Sequence, residues 1–224
     1  MIEDFDYKKI AKELFDDIQK VQLKNAQNLR KVRETYSKKL TQANPHQILN
    51  FVRYFSNNYN FCWIAFEILF CHKTAIKIIG VSELKEFGKQ ISDWGSSDVF
   101  AGYLAGPAWR NGQVPDELIL RWAHSKDFWW RRTALVCTVP LNRRSLGGQG
   151  DIRRTLKICR VLAADKNDQV IKALSWALRE LIQHNAESVK KFIIQNENVL
   201  AARVKREVKN KLSTGVKNPK RKHE

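Results

Sequence analysis

With 224 residues, 43% of them hydrophobic, the chain is long enough for one sizeable core or two small ones. Its 40 Lys and Arg stand against 23 Asp and Glu, and a net charge of +17 spread along the whole chain selects polyanionic partners, nucleic acid or an anionic membrane. The longest apolar run, Phe61–Cys71, spans 11 residues and contains Glu67, which excludes a membrane-spanning helix. The opening M-I-E-D-F-D-Y is acidic where a secretory leader is basic, so a soluble intracellular protein is expected, cytoplasmic and nucleoid-associated if bacterial.

From the N terminus onward, apolar residues recur at three- and four-residue intervals, and no sustained period-two alternation marks a half-buried strand. The expected fold is all-α. Helices are predicted at 4–24, 28–41, 46–56, 59–71, 82–91, 94–109, 115–125, 128–140, 151–164, 168–185 and 187–212, the last broken near Asn196 or Asn198. From Pro45 these fall into pairs joined by short polar turns, with second helices opening near Asp93, Asp127 and Asp168, offsets of 34 and 41 residues. Such offsets point to a HEAT-like helical-repeat solenoid of irregular repeats, whose second helices line a basic concave face. A weak echo supports the period: the turns ending at Asp127 and Asp168 are followed by the apolar-basic pairs Trp130-Arg131 and Ile171-Lys172. The predicted layout is one helical-repeat domain over 1–212 and a basic disordered tail over 213–224, in a monomer.

Metal and nucleophile chemistry find little support in the sequence. Cys62, Cys71, Cys137 and Cys159 form no C-x-x-C pair, which makes them buried reduced thiols in expectation, and the five histidines show no ligand spacing. No Gly-rich phosphate loop and no G-x-S-x-G occurs, and neither metal nor cofactor is expected. Any chemistry must rest on carboxylates and aromatics.

Trp94 and Asp98 stand one helical turn apart in D-W-G-S-S-D-V-F-A-G-Y-L-A. An aromatic face beside a carboxylate is a device for stabilising a developing cation. At about 100° per residue, Val99, Phe100, Tyr103 and Leu104 face inward, whereas Ala101 and Ala105 share the Trp94–Asp98 face and leave room for a ligand. On the helix after Asp168, Val170, Leu174, Ala177, Leu178 and Leu181 form the apolar arc, with Trp176, Lys172, Arg179 and Gln183 opposite. Arg132 sits in a helix apolar nearly all round and is expected to meet an anion there. Each residue has a plainer reading: tryptophans ordinarily pack, Asp98 suits a helix end, and Arg132 could bridge repeats through a buried carboxylate or a backbone carbonyl.

W-G-S-S-D at 94–98, W-W-R-R-T-A at 129–134, I-K-A-L-S-W-A-L-R-E at 171–180 and L-A-A-R-V-K-R-E-V-K at 200–209 resemble the AlkD-like DNA alkylation repair glycosylases. The resemblance covers about Asp93–Leu212. It implies a HEAT-like fold that binds double-stranded DNA in a basic cleft and excises N3- or N7-alkylated purines, recognised without a base-flipping pocket. Carried over, Trp94 and Trp176 are the aromatic walls, Asp98 between them is the catalytic carboxylate, and Arg132 holds the DNA backbone at the lesion. Asp98 would stabilise an oxocarbenium-like sugar or orient the attacking water, two roles the sequence leaves open. The N-terminal third departs from the pattern: L-R-K-V-R-E-T-Y at 29–36 lacks the expected Gly and Pro.

Affinity for DNA is assigned to Arg131, Lys172, Arg179, the stripe Arg153, Lys157 and Arg160, and the cluster Lys205 and Arg206 with Lys209, all of which could equally be solvated helix faces. The glycine-rich segment 142–150 reads as a plain surface turn or as a flexible DNA-contacting loop. The competing functional reading is a non-catalytic HEAT-repeat scaffold that binds DNA or protein, against which the set Trp94, Asp98, Arg132 and Trp176 argues.

Overall fold

In the computed structural model, which describes residues 5–219, helices begin where short polar side chains punctuate the sequence. Asp6 and Asn25 cap α1 (Tyr7–Lys20) and α2 (Ala26–Lys39). Asn44 opens α3 (Pro45–Asn58) with a capping box, its side chain accepting from Gln47 N while Gln47 accepts from Asn44 N, and Pro45 takes the first helical position, where no amide donor is needed. Then follow α4 (Cys62–Cys71), a 3-10 turn at Ala75–Ile78, α5 (Val81–Phe87), a 3-10 turn at Gly88–Gln90 and α6 (Trp94–Val99). A π-helical segment, Phe100–Ala105, leads into α7 (Gly106–Arg110).

The chain divides into two compact units at Ala108 and Trp109. In the first, α3 packs against both α1 and α4, burying Leu14, Ile18, Ile48, Phe51, Phe55, Ile64 and Leu69. Glu67, alone among the apolar residues of α4, is only 4% exposed. Its carboxylate accepts from Arg30 Nε at 2.9 Å and Nη2 at 2.7 Å, a two-pronged bond that ties α2 to α4 and answers the charge.

The second unit contains three helix pairs: α8 (Asp116–Ala123) with α9 (Phe128–Val136), α11 (Ile152–Val161) with α12 (Asp168–Leu181), and α13 (Ala186–Gln195) with α14 (Ala202–Thr214). Between the first two pairs lie α10 (Val139–Asn142) and a 3-10 turn, Arg144–Leu146. Asp127 caps α9, and Asn167 caps α12, accepting from Gln169 N at 2.9 Å, so that α12 opens at Asp168, where the predicted helix begins. Helix α12 packs against α9, α11 and α14. Its inward arc, Val170, Ala173, Leu174, Ala177, Leu178 and Leu181, is at most 1% exposed, as the helical period predicts. Glu207 on α14 is buried too, accepting from Ser175 Oγ at 2.6 Å, with Lys217 Nζ at 3.3 Å.

Every regular element among the described residues is helical, and the paired helices form a helical-repeat architecture. The predicted helices at 94–109 and 128–140 are interrupted, by the π segment and after Val136 respectively, and the break in the last one spans 196–201. Helix α14 continues past 212 to Thr214, and the expected tail lies outside the described residues from 220 onward.

The glycine-rich segment is a tucked turn. A Cβ on Gly148 would lie 2.7 Å from Arg143 N and from Asn142 N and C, and Gly150, at φ +92°, packs against the His184 ring. Backbone cannot yield as a side-chain tip can, so Gly148→Ala is expected to cost about 1–3 kcal/mol. Gly102→Ala, with nothing within 4 Å of its Cβ, provides the control. Chemical denaturation of both variants measures the difference, and equal midpoints would contradict the packing assigned to Gly148.

Candidate functional site

Asp93 builds the start of α6: its Oδ1 accepts from Ser96 N at 2.7 Å, while Ser96 Oγ accepts from Asp93 N at 3.1 Å. This cap sets Trp94 as the first helical residue, 64% exposed. Asp98 follows one turn later on the same face of α6 and is half-buried. The spacing that joins an indole to a carboxylate is therefore present in the folded chain.

The expected opening beside that pair is not. Ala101 and Ala105 are both 0% exposed, so they leave no room for a ligand. The segment Phe100–Ala105 is covered nearly all round, with Phe100, Ala101, Gly102, Leu104 and Ala105 all buried, so a division into one inward and one open face does not hold there. The segment is also π-helical, and its i→i+5 bonds reduce the rotation per residue, which displaces Ala105 from the α-helical wheel much more than Ala101.

In the second unit, Arg132 on α9 is 6% exposed and its Nη1 donates to the backbone carbonyl of Gln169 on α12 at 2.8 Å. The carbonyl-bridging reading thus describes one of its contacts. Arg131 next to it donates through Nε to Asp165 at 2.6 Å and through Nη1 to the carbonyls of Ser125 and Lys126, at 3.0 and 2.8 Å. It clamps the α8–α9 turn to the α11–α12 turn, which accounts for two of its nitrogens within the fold.

Trp176 is half-buried on α12, off the apolar arc. Its Nε1 donates to Glu180 Oε1 at 2.9 Å, and the Arg143 guanidinium carbon lies 5.4 Å from its ring centroid. Burial pushes the Glu180 carboxyl up, but hydrogen bonds from Arg143 and Trp176 and the charges of Arg143 and Arg179 outweigh it and hold the group below the usual glutamate range. Neither Arg143 nor Glu180 was singled out from the sequence. Glu180 stands four residues after Trp176 and was legible on the same wheel, whereas Arg143 sits in a turn that has no period to read.

The cations assigned to DNA occupy different helices. Lys172 is exposed on α12 and paired with Asp168 at 2.7 Å, while burial draws the Arg179 guanidinium below the ordinary arginine range, against the opposing charges of Glu207 and Glu180. Lys205 donates to the carbonyl of Glu197, and Arg206 is exposed on α14. Arg153, Lys157 and Arg160 form an exposed stripe on α11, opposite Leu156 and Cys159. That is a first helix of its pair, not one of the second helices α9, α12 and α14.

Among the described residues no His, Cys, Asp or Glu cluster could hold a metal ion, and no helix is long and apolar enough to cross a membrane. Cys137 and Cys159 are fully buried, and burial raises both thiols well above the usual range. Cys62 is half-buried and pushed up to about 11, mainly by desolvation. Cys71 departs from the expected burial: it is exposed at the end of α4, with Arg33 Nη1 3.6 Å from its sulfur.

A helical-repeat protein of net charge +17 is suited to a polyanionic partner. The chain matches the DNA alkylation repair enzyme family over residues 23–212 and belongs to it. That span includes Trp94, Asp98, Arg132 and Trp176, and DNA is the substrate the family implies. Neither a curated protein nor a solved structure matches the chain.

Proposed function

We propose that the protein is a DNA glycosylase, acting as a monomer, that releases N3- or N7-alkylated purines from duplex DNA. The observation that carries this reading is the exposed Trp94 one turn before the half-buried Asp98, in a chain of net charge +17 that belongs to a DNA alkylation repair family. Alkylation at N3 or N7 makes the purine cationic and a good leaving group. The barrier then lies in forming an oxocarbenium-like sugar, and charge stabilisation is the enzyme's main task.

Asp98 supplies that stabilisation. A carboxylate about 4 Å from the sugar contributes up to roughly 4 kcal/mol at an effective dielectric near 20, about a thousandfold in rate. Orienting the attacking water is a second use of the same carboxylate. Trp94 and Trp176 offer indole faces worth about 0.5–2 kcal/mol each to a cationic base or sugar. Arg132 holds the DNA backbone, and the exposed cations Lys172, Arg206, Arg153, Lys157 and Arg160 add affinity that falls with salt.

Duplex DNA carrying 7-methylguanine tests the proposal directly. Incubation with the protein is expected to release the free base and leave an abasic site, with no release from undamaged duplex. Tight binding without base release would favour the non-catalytic scaffold instead.

A further inference from the structure

Trp176 belongs to a three-residue cluster that constrains its indole in two separate ways. Glu180 Oε1 accepts from the indole Nε1 at 2.9 Å, and the same oxygen accepts from Arg143 Nη2 at 2.5 Å. The guanidinium so anchored lies over the ring, 5.4 Å from its centroid. One contact fixes the ring's tilt through its N–H edge. The other places a cation over one face.

The cluster is held from outside as well. Arg143 follows Asn142, which is wholly buried and donates through Nδ2 to the Thr138 carbonyl at 2.9 Å and to Thr155 Oγ1 at 2.8 Å. The Asn142 carbonyl accepts from Gln183 Nε2 at 2.9 Å, and Gly148 N donates to the Arg143 carbonyl at 3.0 Å. The backbone that carries Arg143 is thus pinned to α11 and to the turn after α12. Glu180, with its side chain 17% exposed, is the more sheltered partner, and Arg143, at 39%, the more open one.

We infer that Glu180 and Arg143 are positioning residues for Trp176: they fix the indole plane and cover one face with a cation, so that a cationic nucleoside meets Trp176 on its other face. The inference rests on the proposed DNA-facing role of Trp176. Its physical basis is charge: a second cation on the Arg143 side would meet the guanidinium, whereas the opposite face keeps the attraction of the ring.

The experiment uses the full chain with Glu180→Gln, Glu180→Ala and Arg143→Met, each also combined with Trp176→Leu. Base release from duplex DNA is measured beside the indole N–H resonance of Trp176, assigned by its disappearance in Trp176→Leu. Glu180→Ala is expected to slow release about tenfold and to shift the resonance, since a hydrogen bond to a charged group is lost. Glu180→Gln, whose amide oxygen still accepts the indole N–H, should recover much of the rate. Arg143→Met should shift the same resonance and slow release. In the Trp176→Leu background the effect of each substitution should shrink to within about twofold, because residues acting through one group are not additive. Equal losses with and without Trp176, or an unmoved resonance, would overturn the positioning role, and the isosteric Glu180→Gln keeps the test open if Glu180→Ala does not fold. Parent-level release by Trp176→Leu would remove the DNA-facing role itself, while the resonance still reports the geometry of the cluster.

Discussion

Asp98→Asn is expected to slow release of an alkylated purine at least a hundredfold while leaving binding to undamaged duplex nearly unchanged. The substitution preserves the shape of a half-buried side chain on α6 and removes its negative charge. If the carboxylate stabilises an oxocarbenium-like sugar, that charge acts in the transition state and hardly at all in the ground state, so the loss falls on the chemical step. A factor of about a hundred to a thousand is what removal of one preorganised electrostatic group costs elsewhere. Single-turnover release with saturating protein isolates the step, and a filter-binding titration on undamaged duplex isolates affinity. Parent-like turnover by the Asn variant would end the carboxylate assignment.

Arg132→Ala carries the second large expectation, on stability as well as function. The side chain is 6% exposed and its Nη1 bonds the Gln169 carbonyl on α12, so truncation deletes packing and leaves that acceptor without its charged donor. A loss of roughly 3 kcal/mol is expected, visible as a lowered melting temperature. If Arg132 also holds DNA at the lesion, the folded fraction at low temperature will show weaker lesion binding and slower release. A lowered melting temperature with parent-like kinetics would make Arg132 a structural bridge alone. Arg132→Lys sharpens the comparison, because an ammonium keeps the charge but cannot reproduce the planar donor array.

The residues of α12 show how far local reading reaches. Spacing alone places Val170, Leu174, Ala177, Leu178 and Leu181 inward, and the folded chain agrees because a regular α-helix converts residue number into angle, while Trp176, placed opposite them, lies off the apolar arc but is half-buried rather than exposed. The same arithmetic fails for Ala101 and Ala105, because the segment that carries them is buried on nearly every side. The early ends of α9 and α12 are smaller failures.

By itself the sequence determined the all-helical class, the pairing of helices in the second unit, the basic character and the turn-by-turn juxtaposition of Trp94 with Asp98. These depend on period, capping chemistry and charge, which act over a few residues. Only the tertiary structure decided that Arg143 lies over Trp176 and shares Glu180 with it, that Arg131 clamps two turns to Asp165, and that Gly148 is packed against backbone. Arg143 and Glu180 are 37 residues apart, and Arg131 and Asp165 are 34 apart. Contacts at such separations are set by how whole helices dock, and docking depends on the summed fit of many side chains rather than on any local pattern.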